Sequence, residues 1–234
     1  MNHFRFKQFQ ISDDRSAMKV GTDSVILGAW VHIENIKTAI DIGCGSGLIS
    51  LMLAQRIREA SISGVEIDHG STQDAQYNFE NSTWSSRLDL LQMDIRNIEY
   101  LKKYNLVITN PPFFRESLLP VEKARAGARH DFSLSLNDLL KVTSSIIDLE
   151  GVFALVYPYD REGELLEHAK LYGLYPQRIL HSRNKPDAQI KRSFVEFKRI
   201  VAPEIEYESI SIRKLNNLYS QEYRNLTKDF YLKF

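Results

Sequence analysis

The chain has 234 residues, with 30 basic and 30 acidic side chains and a formal net charge of zero. Its composition, 43% hydrophobic and 26% charged, is that of an ordinary globular chain and excludes wholesale disorder or a uniformly basic nucleic-acid coat. The single cysteine, Cys44, excludes a disulfide framework and a cysteine-based zinc cluster, and no run approaches the roughly 18 apolar residues of a membrane span.

The length suits one domain, residues 1–234, with residues 1–36 as an amino-terminal segment and 203–234 as a carboxyl-terminal extension. Met1-Asn2-His3-Phe4-Arg5-Phe6-Lys7 lacks the apolar core of a secretory signal, so the expected compartment is the reducing cytoplasm. From residue 37 onward short β-branched runs alternate with longer helical stretches. Residues 37–42 read as a strand ended by glycines, and 46–58 as a helix with Leu48, Leu51, Met52 and Ile57 on its apolar face. A strand at 61–67, a helix at 70–82, a strand at 87–92 and a strand at 104–109 follow. Residues 135–148 read as a helix, 152–156 as a buried strand and 160–172 as a helix. Strands alternating with helices imply βαβ units and a parallel sheet covered on both faces. After residue 173 the rhythm changes: 174–181 and 193–200 read as a hairpin joined by the polar loop 182–192. In the tail, 215–230 is expected to be helical.

Asp41-Ile42-Gly43-Cys44-Gly45-Ser46-Gly47 follows a strand and opens a helix. Glycines at alternating positions let the backbone turn sharply and let a ligand approach without meeting a Cβ. The spacing is G-x-G-x-G; the pyrophosphate fingerprint G-x-G-x-x-G fails because position 48 is Leu, and no Gly-Lys-Ser/Thr of a P-loop follows. A nucleoside-like ligand without a pyrophosphate fits better. Ligands of open α/β sheets sit beyond the carboxyl ends of the strands. Glu66, near the end of the second sheet strand, can accept from both hydroxyls of a ribose there, and Asp94, after the third, can accept from an adenine amino group. Each acid alone reads equally well as a cap or a solvated turn residue; together they favour a nucleoside site.

Asn110-Pro111-Pro112-Phe113 ends the fourth strand, since two prolines cannot donate to a sheet ladder. Asn110 Oδ1 and a nearby backbone carbonyl can accept the two protons of a planar amino group. The prolines hold those acceptors at little entropic cost, and Phe113 can stack on the substrate that carries the amine.

The glycine loop followed by Asn110-Pro111-Pro112-Phe113 resembles the class I S-adenosylmethionine-dependent methyltransferases with an N-P-P-[FYW] signature. These methylate exocyclic amino groups of adenine or cytosine, or a protein glutamine amide. Met18-Lys19-Val20-Gly21-Thr22-Asp23-Ser24, Leu27-Gly28-Ala29-Trp30, Ala128-Arg129-His130 and Asp229-Phe230-Tyr231-Leu232 resemble the bacterial tRNA1(Val) (adenine-37-N6)-methyltransferase family over nearly the whole chain. The resemblance implies a Rossmann-like α/β fold: a mostly parallel seven-stranded sheet with an antiparallel carboxyl-terminal hairpin and helices on both faces. It implies S-adenosyl-L-methionine as cofactor, adenosine 37 of a tRNA as target, no metal and no obligate protein partner. Gly43, Gly45 and Gly47 would line the methionine part of the cofactor, Glu66 the ribose and Asp94 the adenine, with Asp41 also among the cofactor-binding residues and Asn110 at both cofactor and substrate. Thr22 and Asp23 would cover the methionine end, although Asp23 can equally cap a helix running from Ser24 to Trp30.

Between residues 178 and 199 stand Arg178, Arg183, Lys185, Lys191, Arg192, Lys198 and Arg199 against Asp187 and Glu196, a local net charge of +5. A solvated face and an RNA surface both account for such a run. Lys185, Lys191 and Arg192 flank or occupy the hairpin loop and are the candidate phosphate contacts. A second set, Lys123, Arg125 and Arg129, lies in the long connection after Phe113. Other N-P-P-F enzymes, acting on ribosomal RNA, DNA or a protein glutamine, remain the second reading, and a non-catalytic scaffold the third. The glutamine enzymes carry an amino-terminal helical domain for which the shared motif at Met18 leaves no room, and no insertion is large enough for a DNA-recognition domain. A scaffold would be free to lose Asn110, Glu66 or the glycines.

Overall fold

The computed structural model describes residues 3–98, 102–112 and 134–233. Its frame is one eight-stranded sheet built from β3 (Thr38–Ile42), β4 (Ser61–Glu66), β5 (Leu88–Gln92), β6 (Tyr104–Thr109), β7 (Ile147–Pro158), β8 (Tyr175–Arg183), β9 (Ile190–Lys198) and β10 (Glu206–Ser211), in the spatial order β10-β8-β9-β7-β6-β3-β4-β5. A small antiparallel pair, β1 (His3–Arg5) with β2 (Gln10–Ser12), precedes it. The helices are α1 (Thr22–Trp30), α2 (Leu48–Arg56), α3 (His69–Glu80), α4 (Leu136–Ile146), α5 (Glu162–Leu171) and α6 (Gln221–Thr227).

The central strands are buried on both faces, which is why they read as near-continuous apolar runs: the last four residues of β3 and of β6 are all buried. Two apolar clusters result. One joins Ile26, Leu27, Leu51, Met52, Ala39 and Leu106 under α1 and α2. The other joins Ile40, Ile42, Val107, Phe153, Leu140 and Leu165 under α4 and α5. Three helices begin with a side-chain cap the sequence provides: Asp68 accepts from Ser71 N, Ser135 from Asp138 N and Ser220 from Tyr223 N.

Only β9 runs against the others: β8 and β7 each pair with it antiparallel, and β10 pairs parallel with β8. The carboxyl ends of the remaining strands therefore share one edge of the sheet. That edge carries the glycine loop, Glu66, Asp94, Asn110, the hairpin turn between β8 and β9, and the loop leaving β10.

The expectation of seven strands is corrected to eight. β10 was missed because Glu206 and Glu208 make its sequence look solvated; in the sheet they face Arg178, whose guanidinium lies 3.4 and 2.7 Å from them. The tail helix is accordingly shorter than expected, Gln221–Thr227, with Tyr223 and Phe230 buried in the first cluster. Both chain ends meet there, as Phe6 bridges to Tyr231 and Lys7 N donates to Phe230 O at 2.7 Å.

Candidate active site

The glycine loop leaves β3 with positive φ at each glycine: +68° at Gly43, +56° at Gly45 and +82° at Gly47. Two different physical reasons stand behind the three. A Cβ added to Gly43 or Gly45 meets nothing within 4 Å, so these residues border open space. A Cβ on Gly47 would sit 2.4 Å from Phe79 Cε1, so this glycine lets α2 pack against α3. Gly47 thus has a packing reason for being glycine, beside the cofactor-lining role expected of it. The turn is held by Gly43 N and Cys44 N donating to Val65 O at 2.8 and 3.1 Å. Asn78 on α3 closes it from beneath, donating Nδ2 to Ser46 O and Ser12 O, each at 2.8 Å. Nothing in the sequence marks Asn78, because its partners lie 32 and 66 residues away.

Three carboxylates stand on β3, at the end of β4 and after β5. Asp41 is buried; Oδ2 accepts from Ser50 N and Oγ at 3.1 and 2.7 Å, while Oδ1 is buried with no hydrogen-bond partner among the described residues. Burial pushes its carboxyl up to about 7. Glu66 bridges two elements: Oε2 accepts from Gly45 N at 2.9 Å, and Oε1 accepts from Ile67 N and Asp68 N at 2.8 Å each. Asp94 caps a single 3-10 turn, Ile95–Asn97, and takes the Arg96 guanidinium at 2.5–3.0 Å. That side-chain hydrogen bond holds the Asp94 carboxyl below its usual range. Burial also pushes the Cys44 thiol up, which keeps it protonated and inert.

Register places Asn110 beside the loop. Asp41 pairs with Ile108 across β3 and β6, so two residues further along each strand Gly43 and Asn110 leave the sheet side by side. Thr109 Oγ1 donates to Ile42 O at 2.7 Å and pins that exit. Asn110 Nδ2 donates to Ser24 Oγ at 2.8 Å, and Asn110 Oδ1 is buried and accepts from no described residue. Pro111 is half-buried and Pro112 exposed. Phe113 lies outside the described residues, as do Lys123, Arg125 and Arg129. Ser24 is the polar partner that sequence reasoning passed over; it stood in a quoted motif without a role.

The amino-terminal segment is stitched over α3, where buried Asp74 accepts from Arg15 N and Ser16 N at 2.8 Å each. This delivers α1 to the site. Gly21 is its N-cap residue, with no side-chain cap, so Asp23 does not cap a helix from Ser24. Asp23 instead accepts from Arg192 Nε at 2.7 Å, with the two side chains 29% and 32% exposed. Thr22 is exposed.

Against the expectation of an exposed loop side chain, Arg192 is half-buried and engaged within the fold. Other arginines of the run are engaged too. Arg178 binds Glu196 at 3.2 Å and Glu208 at 2.7 Å and lies 4.6 Å over the Trp30 ring. Arg183 donates to Ser209 Oγ at 3.1 Å, and Arg199 donates to Ser144 O. Lys191 is exposed and Lys185 half-buried, and neither side chain has a partner among the described residues. The hairpin turn borders a depression of about 770 Å³ whose lining includes Pro186, Arg213 and Lys214.

A sheet with this strand order and crossover pattern, opened by a G-x-G-x-G turn with an acid at the end of the next strand, defines the class I S-adenosylmethionine-dependent methyltransferase fold. Solved structures agree at the level of fold. A predicted O-methyltransferase from Agrobacterium tumefaciens superposes with a TM-score of 0.69 at 16% identity, covering 89% of this chain and 96% of its own. A precorrin-6y C5,15-methyltransferase from Geobacter metallireducens gives 0.55 at 14% identity, with 79% and 95% covered. The family model for the methyltransferase small domain matches residues 16–125. A tRNA1(Val) (adenine(37)-N6)-methyltransferase from Trichodesmium erythraeum is 40% identical over 100% of this chain and 99% of the relative. One of the same name from Yersinia enterocolitica is 38% identical over 99% and 93%. The chain belongs to the tRNA1(Val) (adenine(37)-N6)-methyltransferase family.

Proposed function

We propose that this protein is a cytoplasmic, single-domain enzyme that transfers a methyl group from S-adenosyl-L-methionine to the exocyclic N6 of adenosine 37 in tRNA1(Val). The observation that carries the reading is Asn110 Oδ1, a buried acceptor with no donor among the described residues, at the strand end beside the glycine loop. The residues around it suit the cofactor. Open space at Gly43 and Gly45 admits a ligand against the backbone, and Asp41 Oδ1 offers a second buried acceptor for an ammonium group. Glu66 and Asp94 then face the ribose and adenine, each retaining lone pairs beyond the bonds it already accepts.

When bound, the cofactor supplies a methyl group already activated by its sulfonium. The chain's task is to place a weak nucleophile, since the amine lone pair of adenine is delocalised into the ring. Asn110 Oδ1 and a carbonyl of the following prolines accept the two amine protons. They hold the nitrogen in line and stabilise the positive charge that grows on it as the carbon–nitrogen bond forms. Orientation of this kind supplies roughly 7–11 kcal/mol, and the released proton passes to solvent. A base stacked inside a helix cannot reach such a strand-end pocket, which favours a loop nucleotide or a flipped one. Lys185 and Lys191 on the same edge of the sheet are the phosphate contacts this reading retains from the hairpin, and Phe113, Lys123, Arg125 and Arg129 keep their proposed roles in stacking and phosphate contact.

The test is incubation with methyl-labelled S-adenosylmethionine and total bacterial tRNA, followed by digestion to nucleosides. Label in N6-methyladenosine from a single tRNA supports the reading. Label in ribosomal RNA, in DNA or in a protein glutamine instead would move the chain to another N-P-P-F activity.

A further inference from the structure

We propose that Ser24 is the positioning residue that sets which end of the Asn110 amide meets the substrate amine. The proposal rests on the adenosine-amine reading above. A planar amide has an acceptor end and a donor end of nearly equal size, and a half-turn about its terminal bond exchanges them. Only the oxygen can receive an amine N–H; the NH2 end would set donor against donor. Ser24 Oγ stands 2.8 Å from Asn110 Nδ2 and takes that donor, which leaves Oδ1 as the free end. The reversed amide would turn its N–H donors into the space where Oδ1 now lies with no partner among the described residues.

The helix that carries the hydroxyl is itself anchored. Ser24 lies in the first turn of α1, where Gly21 is the cap residue and no side-chain cap bond competes for it. Its neighbour Asp23 is tied to β9 through Arg192 at 2.7 Å, and the helix that follows is buried from Val25 to Trp30. The bond spans 86 residues, so it is tertiary, not an accident of local chain geometry.

The experiment is single-turnover methylation of tRNA at saturating S-adenosylmethionine, with cofactor and tRNA affinities and melting temperatures measured beside it, for Ser24→Ala, Ser24→Thr, Asn110→Ala and the Ser24→Ala/Asn110→Ala pair. The expected result is a loss of about tenfold in rate for Ser24→Ala, the scale of one hydrogen bond, with both affinities within about twofold of the parent. Ser24→Thr, which keeps the hydroxyl, should restore the rate. In the Asn110→Ala background Ser24→Ala should cost nothing further, because a residue acting through another has no effect once that other is gone. If Ser24→Ala does not fold, Ser24→Cys, close in size and a poor acceptor, carries the same comparison. A parent-like rate, an equal loss in the Asn110→Ala background, or a matching loss of cofactor affinity would each overturn the positioning role. A parent protein that leaves tRNA adenosine unmethylated would overturn the functional reading and this proposal with it.

Discussion

Between Thr38 and Asn110 the edge of the sheet still has bonding capacity to offer: open space over Gly43 and Gly45, and oxygens on Asp41 and Asn110 that have no partner among the described residues. Between Tyr175 and Ser211 the sheet carries more charge in the sequence, yet its arginines are engaged within the fold. Arg178 closes on Glu196 and Glu208, Arg183 on Ser209, Arg192 on Asp23 and Arg199 on Ser144. A run of +5 therefore describes a well-tied hairpin with a few available lysines, not a broad phosphate-binding face. Charge density in a sequence measures potential partners; burial and pairing decide which remain for a ligand.

The comparison breaks first at Arg178. Its side chain is 14% exposed and opposes Glu196 at 3%. Arg178→Ala leaves that buried carboxylate with its hydrogen bonds to His32 and the charge of Arg56 but without its ion-pair partner, and should cost about 3–5 kcal/mol of unfolding free energy, read by denaturant titration. A loss within experimental error would mean the arginine is not structural.

The glycine loop gives the next largest effect. Gly45→Val forces a β-branched residue to φ +56°, at about 1–2 kcal/mol of stability, and fills the space a cofactor needs. Calorimetry should detect no S-adenosylmethionine binding although the protein remains folded. Gly47→Ala should instead act through Phe79, lowering the melting temperature more than Gly45→Ala does.

Asp41 sharpens the account through pH. Its folded carboxyl sits at about 7 against an ordinary value of 3.8. In that interval the unfolded chain releases the proton and the folded chain keeps it. Stability is therefore fully present below about pH 4 and is lost as pH rises through about 7. Asp41→Asn removes the ionisation, so the cofactor-free variant should gain on the parent by a few kcal/mol between pH 4 and 8. Parallel pH profiles would show that the buried carboxyl does not titrate there.

The smallest effect belongs to the lysines. Each single-strand phosphate contact adds about −0.7 to the slope of log affinity against log salt. Lys185→Ala with Lys191→Ala should flatten the tRNA slope by about 1.4 and change stability by less than about 0.5 kcal/mol. Unchanged slopes would move the docking surface to Lys123, Arg125 and Arg129. Arg192 is left out of this variant because its loss would also release Asp23.

What could be read from the sequence follows the same division. The βαβ half was legible because its signals are local: apolar runs and glycines at strand exits. The Asn110 signature was legible because two prolines leave few structural alternatives. β10 was hidden by acids whose partner, Arg178, lies in another strand. Ser24, Asn78 and the Asp23–Arg192 pair were hidden for the same reason, since each depends on a contact across dozens of residues that no periodicity announces.

The most direct test of the central claim is Asn110→Ala, measured for cofactor affinity by calorimetry and for methyl transfer to tRNA in a single turnover. Loss of one transition-state hydrogen-bond partner should lower the rate constant by about 100- to 1,000-fold and leave S-adenosylmethionine affinity nearly intact. A variant that methylates adenosine at the parent rate, or one whose rate falls only because cofactor binding is lost, would contradict the assignment of Asn110 Oδ1 as the acceptor for the substrate amine.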